Sequence, residues 1–203
     1  MKLLLAVVAS YVIGSIDFAV IVAQMKGVDI HSVGSGNPGT SNVLRTLGKG
    51  PAAAVLIGDA IKGVIGAYLG VLASQNPAAV GGLVVTDHWA YLAGLFAVVG
   101  HCYPIFHKFR GGRGVATSLG VLLYTIPLIG LGALALWLII VKLTKVAAVA
   151  SLVTVAVTLP VAWAVGVRGL AFLWVCLMVA LIVFRHRENV ARLIKGSEQK
   201  VPT

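Results

Sequence analysis

The chain has 203 residues, 59% hydrophobic and 11% charged, with a mean hydropathy of +1.00. Soluble domains are about half apolar and about a quarter charged, so this composition excludes one, and the long apolar runs leave no room for a second, soluble domain. The net charge of +10 lies between apolar runs and in a short tail, not in one stripe, which sets nucleic acid aside and fits membrane topology.

The first apolar run is Leu3 to Ala23. Lys2 ahead of it and the small pair Gly14 and Ser15 imitate a signal peptide, but the run continues past them and further spans follow. Lys26, Arg45 and Lys49 place the next connection inside, since positive charge marks cytoplasmic loops. Within it stands Gly34-Ser35-Gly36-Asn37-Pro38-Gly39-Thr40-Ser41-Asn42, with Arg45 three residues further on. The glycines permit left-handed backbone and close approach of a ligand. Successive amides can cradle an anion, the Ser, Thr and Asn side chains add neutral hydrogen bonds, and Arg45 adds a planar fork for phosphate. Formally Gly34, Gly36 and Gly39 match GxGxxG, yet the run before them is a membrane helix instead of a strand, and no Lys-Ser or Lys-Thr completes a P-loop. A flexible polar linker is the alternative reading.

The second run, Pro51 to Leu72, carries Asp59 and Lys62 on one helix face. Charges inside a span are either paired or functional. The pair is thus either a buried ion pair that orients the helix or, through Lys62, a substrate contact. The stretch Ser74 to Asp87 has no Lys or Arg and is placed outside. After the third run, Val84 to Cys102, the loop Tyr103 to Gly114 carries Lys108, Arg110 and Arg113 and returns inside. Its glycines Gly111, Gly112 and Gly114 lead into a helix past Val115 and Thr117, and a helix amino terminus attracts anions. An ordinary positive-inside loop would explain the charges but not the glycines.

Val115 to Val141 is flanked by that loop and by Lys142 and Lys145, so an even number of crossings must fit in 27 residues. That is roughly 40 Å of helix at about 1.5 Å per residue, less than two full spans of about 30 Å. The run is therefore predicted as two short helices broken near Thr125, Ile126 and Pro127. Ala147 to Ala164 and Leu170 to Phe184 complete the spans, and the turn near Gly166, with only Arg168, faces out. The tail, with Arg185, Arg187, Arg192, Lys195 and Lys200, is inside. The expectation is an all-α polytopic membrane protein, one domain over residues 1–203. It has seven transmembrane helices, some short, with the amino terminus outside and the carboxyl terminus cytoplasmic. His186 and Asn189 share a face in Arg185-His186-Arg187-Glu188-Asn189, for which a helix cap with snorkelling arginines is the plain alternative. Cys102 and Cys176 sit in apolar surroundings and read as packing residues.

Together the three polar clusters resemble the acyl-phosphate-dependent glycerol-3-phosphate acyltransferases, small bacterial membrane enzymes of phospholipid synthesis. The family patterns, approximately GSGNxGATN with a following Arg, GHxxPxFxxFKGGKGVAT and RHREN, stand here as Gly34 to Asn42 with Arg45, Gly100 to Thr117, and Arg185 to Asn189. The chain departs from them at Thr40 and Ser41, at Arg110 and Arg113 where Lys is usual, and at Asp17 where Pro or Thr is common. Arginine at 113 keeps a phosphate fork but no deprotonable amine.

The resemblance implies transfer of a fatty acyl group from acyl phosphate to the primary hydroxyl of glycerol-3-phosphate, giving lysophosphatidate and phosphate. The reaction would run in the bacterial inner membrane, with the site facing the cytoplasm. By the same resemblance Gly34, Ser35, Gly36, Asn37, Gly39 and Asn42 would hold the acyl phosphate, and Arg45, Arg113, Ser151, His186 and Asn189 the glycerol-3-phosphate. Asp59, Lys62, Gly111, Gly112, Gly114 and Thr117 would support them. Apolar helix faces in the membrane lipid would take the acyl chain, and a soluble enzyme that makes acyl phosphate would dock on the basic loops. No conventional catalytic residue is implied, because the donor phosphate would accept the hydroxyl proton. This agrees with the absence of an Asp five residues after any His and with His101 and Cys102 pointing apart. No cofactor or metal is expected, since the histidines are scattered and carboxylates few. An anion or phosphate transporter would share the glycines and basic residues, but should show repeated halves with midplane polar groups. A non-catalytic scaffold would leave the first-loop cluster unexplained.

Overall fold

The computed structural model describes residues 1–74, 84–85 and 87–202, and most of the outward connection expected between Ser74 and Asp87 lies outside them. Every α-helix follows from a run of apolar residues or from a short polar stretch beside one. In chain order the helices are α1 (Lys2–Gly14), α2 (Phe18–Gln24), α3 (Thr40–Leu47), α4 (Lys49–Ser74) and α5 (His88–Cys102). Then come α6 (Val115–Thr125), α7 (Pro127–Thr144), α8 (Ala147–Ala164), α9 (Gly169–Arg185) and α10 (Arg187–Ile194). Five helices are long and apolar enough to cross a membrane if α1 and α2 count as one, or six if α9 and α10, bent by 50°, form another. Helix α6 is a shorter apolar helix. The architecture is thus an all-helical, multi-pass membrane protein, with no strand among the described residues.

The predicted break at Pro127 is present, with Ile126 out of helical backbone (φ −147°, ψ 72°) between α6 and α7. Only α6 is short, however. Helix α7 runs 18 residues because it continues through Lys142 to Thr144, and a lysine near a helix carboxyl terminus is favoured there while its stem stays in apolar surroundings. A second break, between Gly14 and Phe18, interrupts the run expected as one helix. Asp17 caps α2 by accepting hydrogen bonds from the Ala19 and Val20 amides at 3.1 Å. The Ile16 carbonyl at the break accepts from Lys62 Nζ at 2.8 Å, and Lys62 pairs with Asp59 at 2.8 Å. The charged pair in α4 is thus closed as a buried ion pair. It supplies a polar partner to backbone that, deep in a bilayer, would otherwise have none.

Helices approach closely where small residues meet, as packing in lipid favours. A Cβ on Gly63 would run into the Thr117 carbonyl of α6, one on Gly120 into the Ala60 carbonyl of α4, and one on Gly14 into the Ala97 backbone of α5. Helix α3 lies amphipathic against the start of α4, its buried Val43 packed with Ala19, Ile30, Ala52 and Val55. These contacts bring the amino termini of α3 and α6 to one end of the bundle.

Candidate active site

The first polar loop is curled by its own Asn42. That carboxamide accepts from the Ser35 amide at 2.8 Å and donates to the Ile30 and Val33 carbonyls at 3.3 and 3.0 Å. The curl needs left-handed backbone at Gly34 and Gly36, with φ of 59° and 67°. Asn42 is thus occupied in shaping the loop, whereas the hydroxyls of Ser35 and Thr40 are buried without a protein partner. A buried hydroxyl without a partner costs free energy that a ligand oxygen can restore.

The glycine loop is clamped from two sides. Arg185 donates to the Gly111 and Gly112 carbonyls at 2.7 and 3.1 Å while its guanidinium lies 4.9 Å from the Tyr103 ring centre. The Gly112 amide donates to the His101 carbonyl at 3.0 Å, and a Cβ on Gly112 would meet the His101 ring and the Pro38 carbonyl. Glycine here is what lets the second loop press on the first.

Between these loops and α6, α7 and α8 lies one cavity of about 1110 Å³, counted with its open mouth. Its polar end takes Ser35, Asn37, Gly39, Thr40, Ser41, Asn42 and Arg45 from the first loop and α3. Arg113 and Gly114 come from the glycine loop, Ser151 from α8, and His186 from the end of α9. The amino termini of α3, at Gly39 to Ser41, and of α6, at Gly114 to Ala116, both open onto it, adding two helix dipoles to two arginines. Its other end is apolar, with Leu119, Leu122, Leu134, Trp137, Leu138 and Val155. One compartment therefore joins an anion site to a hydrophobic groove.

Arg113 makes no side-chain hydrogen bond or ion pair among the described residues, and burial pushes its guanidinium down to about 10, still cationic at neutral pH. A half-buried, unpaired cation is stabilised when an anion joins it. Arg45 is also lowered, chiefly by burial. It donates through Nε to the Lys200 carbonyl at 2.9 Å and through Nη2 to the Gln199 carbonyl at 3.1 Å. His186 Nδ1 sits 2.8 Å from the Ile182 carbonyl, which only accepts, so Nδ1 carries the proton and Nε2 remains for the cavity. Ser151 accepts from Trp137 Nε1 at 3.0 Å.

Gly34, Gly36, Gly111, Gly112, Lys62, Thr117 and Asn189 stand behind the cavity and do not line it. Thr117 is fully buried beneath α4, and Asn189 donates to Glu198 at 2.7 Å, which leaves its own carbonyl oxygen buried without a partner. Asp59 does line the cavity, together with His101, whose Nδ1 is 3.4 Å from the Asp59 carboxylate. Sequence reasoning missed His101, although it stands in the Gly100 to Thr117 motif. It also missed Glu198, for which there was no signal, because the tail was read only for its positive charge. Among the described residues no three His, Cys, Asp or Glu side chains gather as metal ligands would.

Known proteins are similar to this chain in sequence and in fold. The profile of the glycerol-3-phosphate acyltransferase family matches residues 4–196. Glycerol-3-phosphate acyltransferases from Cupriavidus pinatubonensis and Neisseria meningitidis are each 41% identical, covering 98% and 97% of this chain and 96% of either relative. Two crystal structures of PlsY (YgiH), an integral membrane glycerol 3-phosphate acyltransferase, superpose over the whole chain and 97% of theirs. The glycerol 3-phosphate form has a TM-score of 0.90 at 35% identity, and the lysophosphatidic acid form 0.88 at 34%.

Proposed function

The chain belongs to the glycerol-3-phosphate acyltransferase family, and from that premise we propose that this acyltransferase takes its acyl group from acyl phosphate and forms lysophosphatidate. One observation carries the reading. Two unpartnered hydroxyls, two arginines and two helix amino termini converge at the head of an apolar groove, which is what a phosphate-headed lipid and a second phosphate require together.

The acyl chain lies among Leu119, Leu134, Trp137 and Val155, and its phosphate head rests on the first loop, against Ser35, Asn37, Thr40 and the α3 amides. Asn42, Gly34 and Gly36 hold that loop in shape. Glycerol-3-phosphate sits with its phosphate between Arg45 and Arg113, while Ser151 and His186 orient its hydroxyl from the opposite wall. Asn189 supports this arrangement from behind. The hydroxyl oxygen attacks the acyl carbonyl, the carbonyl carbon–oxygen bond to phosphate breaks, and the hydroxyl proton passes to the phosphate that leaves. Bringing two anionic substrates into contact is the main barrier the protein lowers, by position and by fixed positive charge.

The same reading counts α6 and the α9 span as crossings, for seven in all, with the amino terminus outside. It sets the site on the cytoplasmic side of the bacterial inner membrane, where the exposed Lys108 and Arg110 present a face to a soluble donor-making enzyme. The rival transport reading has no support in the family.

The test is inorganic phosphate release by purified protein in lipid with palmitoyl phosphate, with and without glycerol-3-phosphate, beside Arg45→Ala. Release should require glycerol-3-phosphate and fall at least about 100-fold in the variant, as loss of a charge-assisted phosphate contact of about 3 kcal/mol predicts. Donor consumption that ignores glycerol-3-phosphate would remove the acyl-phosphate reaction from consideration.

A further inference from the structure

The carboxyl-terminal segment beyond α10 returns to the cavity. Glu198, 6% exposed in its side chain, accepts from Arg192 Nε and Asn189 Nδ2, both at 2.7 Å, and lines the cavity. The next two carbonyls, of Gln199 and Lys200, hold Arg45 at 3.1 and 2.9 Å. Val201 is 4% exposed and donates its amide to the Lys145 carbonyl at 2.8 Å, at the corner between α7 and α8. The tail thus ties α10, α3 and that corner together across the mouth of the site.

We propose that Gln199–Val201 is a positioning strap for the acceptor's phosphate, an inference that rests on the reading of Arg45 above. Nε and Nη2 offer one edge of the guanidinium to the strap. The Nη1–Nη2 end, the fork that takes phosphate bidentately, stays free. The two carbonyls are neutral, so they fix the plane of the fork without cancelling its charge. Glu198, whose charge acts on Arg45, is itself held by Arg192 and Asn189. A long side chain that is already immobilised loses less freedom when its ligand arrives. The opposite role, a plug that occupies Arg45 until substrate displaces it, makes the opposite kinetic statement.

The experiment compares the full chain with a chain ending at Glu198, with Val201→Asp, Val201→Ile and Arg45→Ala, all in lipid, varying glycerol-3-phosphate and palmitoyl phosphate separately. The shortened chain and Val201→Asp should raise KM for glycerol-3-phosphate about tenfold, equivalent to about 1.4 kcal/mol, leaving kcat and the donor's KM in place. Val201→Ile should restore the parent value. An unchanged acceptor KM overturns the strap, and a lower one shows a plug. A joint fall of every parameter with the melting temperature assigns the tail to packing alone. If the shortened chain does not fold, the two Val201 variants decide. An Arg45→Ala variant with unchanged acceptor KM overturns the reading of Arg45 and the strap with it, whereas a raised KM there beside an innocuous truncation overturns only the strap.

Discussion

At the scale of single residues, the burial that lowers Arg113 to about 10 would make a weaker base at this position sensitive to pH, which the sequence alone did not reveal. The guanidinium starts so high that it stays charged at pH 9. An ammonium starts near 10.4, and the same desolvation would carry it into the working range, because burial disfavours the charged form of a base. Arg113→Lys should therefore bind glycerol-3-phosphate normally near pH 6.5. It should lose affinity as pH rises toward 9, by about tenfold for each unit above its lowered pKa, while the parent enzyme stays flat on this account. Acceptor KM measured from pH 6 to 9 checks it, and parallel profiles would refute it. Lys62 offers a second residue-scale prediction. Its ammonium serves both the Asp59 carboxylate and the Ile16 carbonyl, so Lys62→Met leaves the buried carboxylate with only His101, at 3.4 Å, and the buried Ile16 carbonyl without its partner. The expected loss is about 3–5 kcal/mol, read from denaturation in detergent, with Asp59→Asn/Lys62→Met together losing less than the single change. Which types of residue carry the site was legible, since glycines beside Ser, Asn and Arg in polar loops between apolar runs have few other uses. Which of them have hydrogen-bonding capacity left for a ligand was not. Asn42 and Ser35 both line the cavity, and only the folded loop shows the Asn42 side chain spent on backbone and the Ser35 hydroxyl without a partner.

Among the elements, the break at Pro127 was legible because charge on both sides of an apolar run forces an even number of crossings, and proline supplies the place. The break at Gly14 to Phe18 was not, because its partner is Lys62, 46 residues away, and periodicity carries no information about a distant ammonium. The crossing of α4 and α6 likewise depends on a pairing that sequence cannot show, Gly63 under Thr117 and Gly120 under Ala60. Gly63→Leu should separate these helices and draw the α6 amino terminus away from α3, breaking the convergence of the two helix dipoles. We expect a destabilisation of about 1–3 kcal/mol from overpacking, with activity lost more steeply than stability. Gly132→Leu in α7, where nothing lies within 4 Å of the added Cβ, should stay within about 0.5 kcal/mol of the parent. Equal effects on melting temperature and rate from the two substitutions would show that the α4–α6 approach has no special bearing on the site.

For the molecule as a whole, the proposed orientation follows from where the basic residues stand, and Arg168, assigned with Lys2 to the outside, shows why it does not disturb the rule. Arg168 donates to the Val167 carbonyl at 2.9 Å, also to the Trp163 carbonyl, and lies 3.9 Å over the Trp163 ring. Its charge is thus consumed in closing the end of α8, and an aromatic–arginine pair of this kind suits a membrane–water interface. Lys108, Arg110 and Arg187 are exposed, and in the proposed orientation they face the cytoplasm, where basic side chains meet anionic headgroups. Replacing Cys102 and Cys176 with alanine and introducing Gly166→Cys or Ser197→Cys gives single reporters at the two ends. In intact cells a membrane-impermeant maleimide should label the first and spare the second, and permeabilisation should expose the second. The reversed pattern would place the anion site outside, away from any cytoplasmic source of acyl phosphate, and would break the link between the cavity's chemistry and the substrates assigned to it. Labelling of both in intact cells would mean that Gly166 and Ser197 share a side, which an odd number of crossings between α8 and the tail forbids.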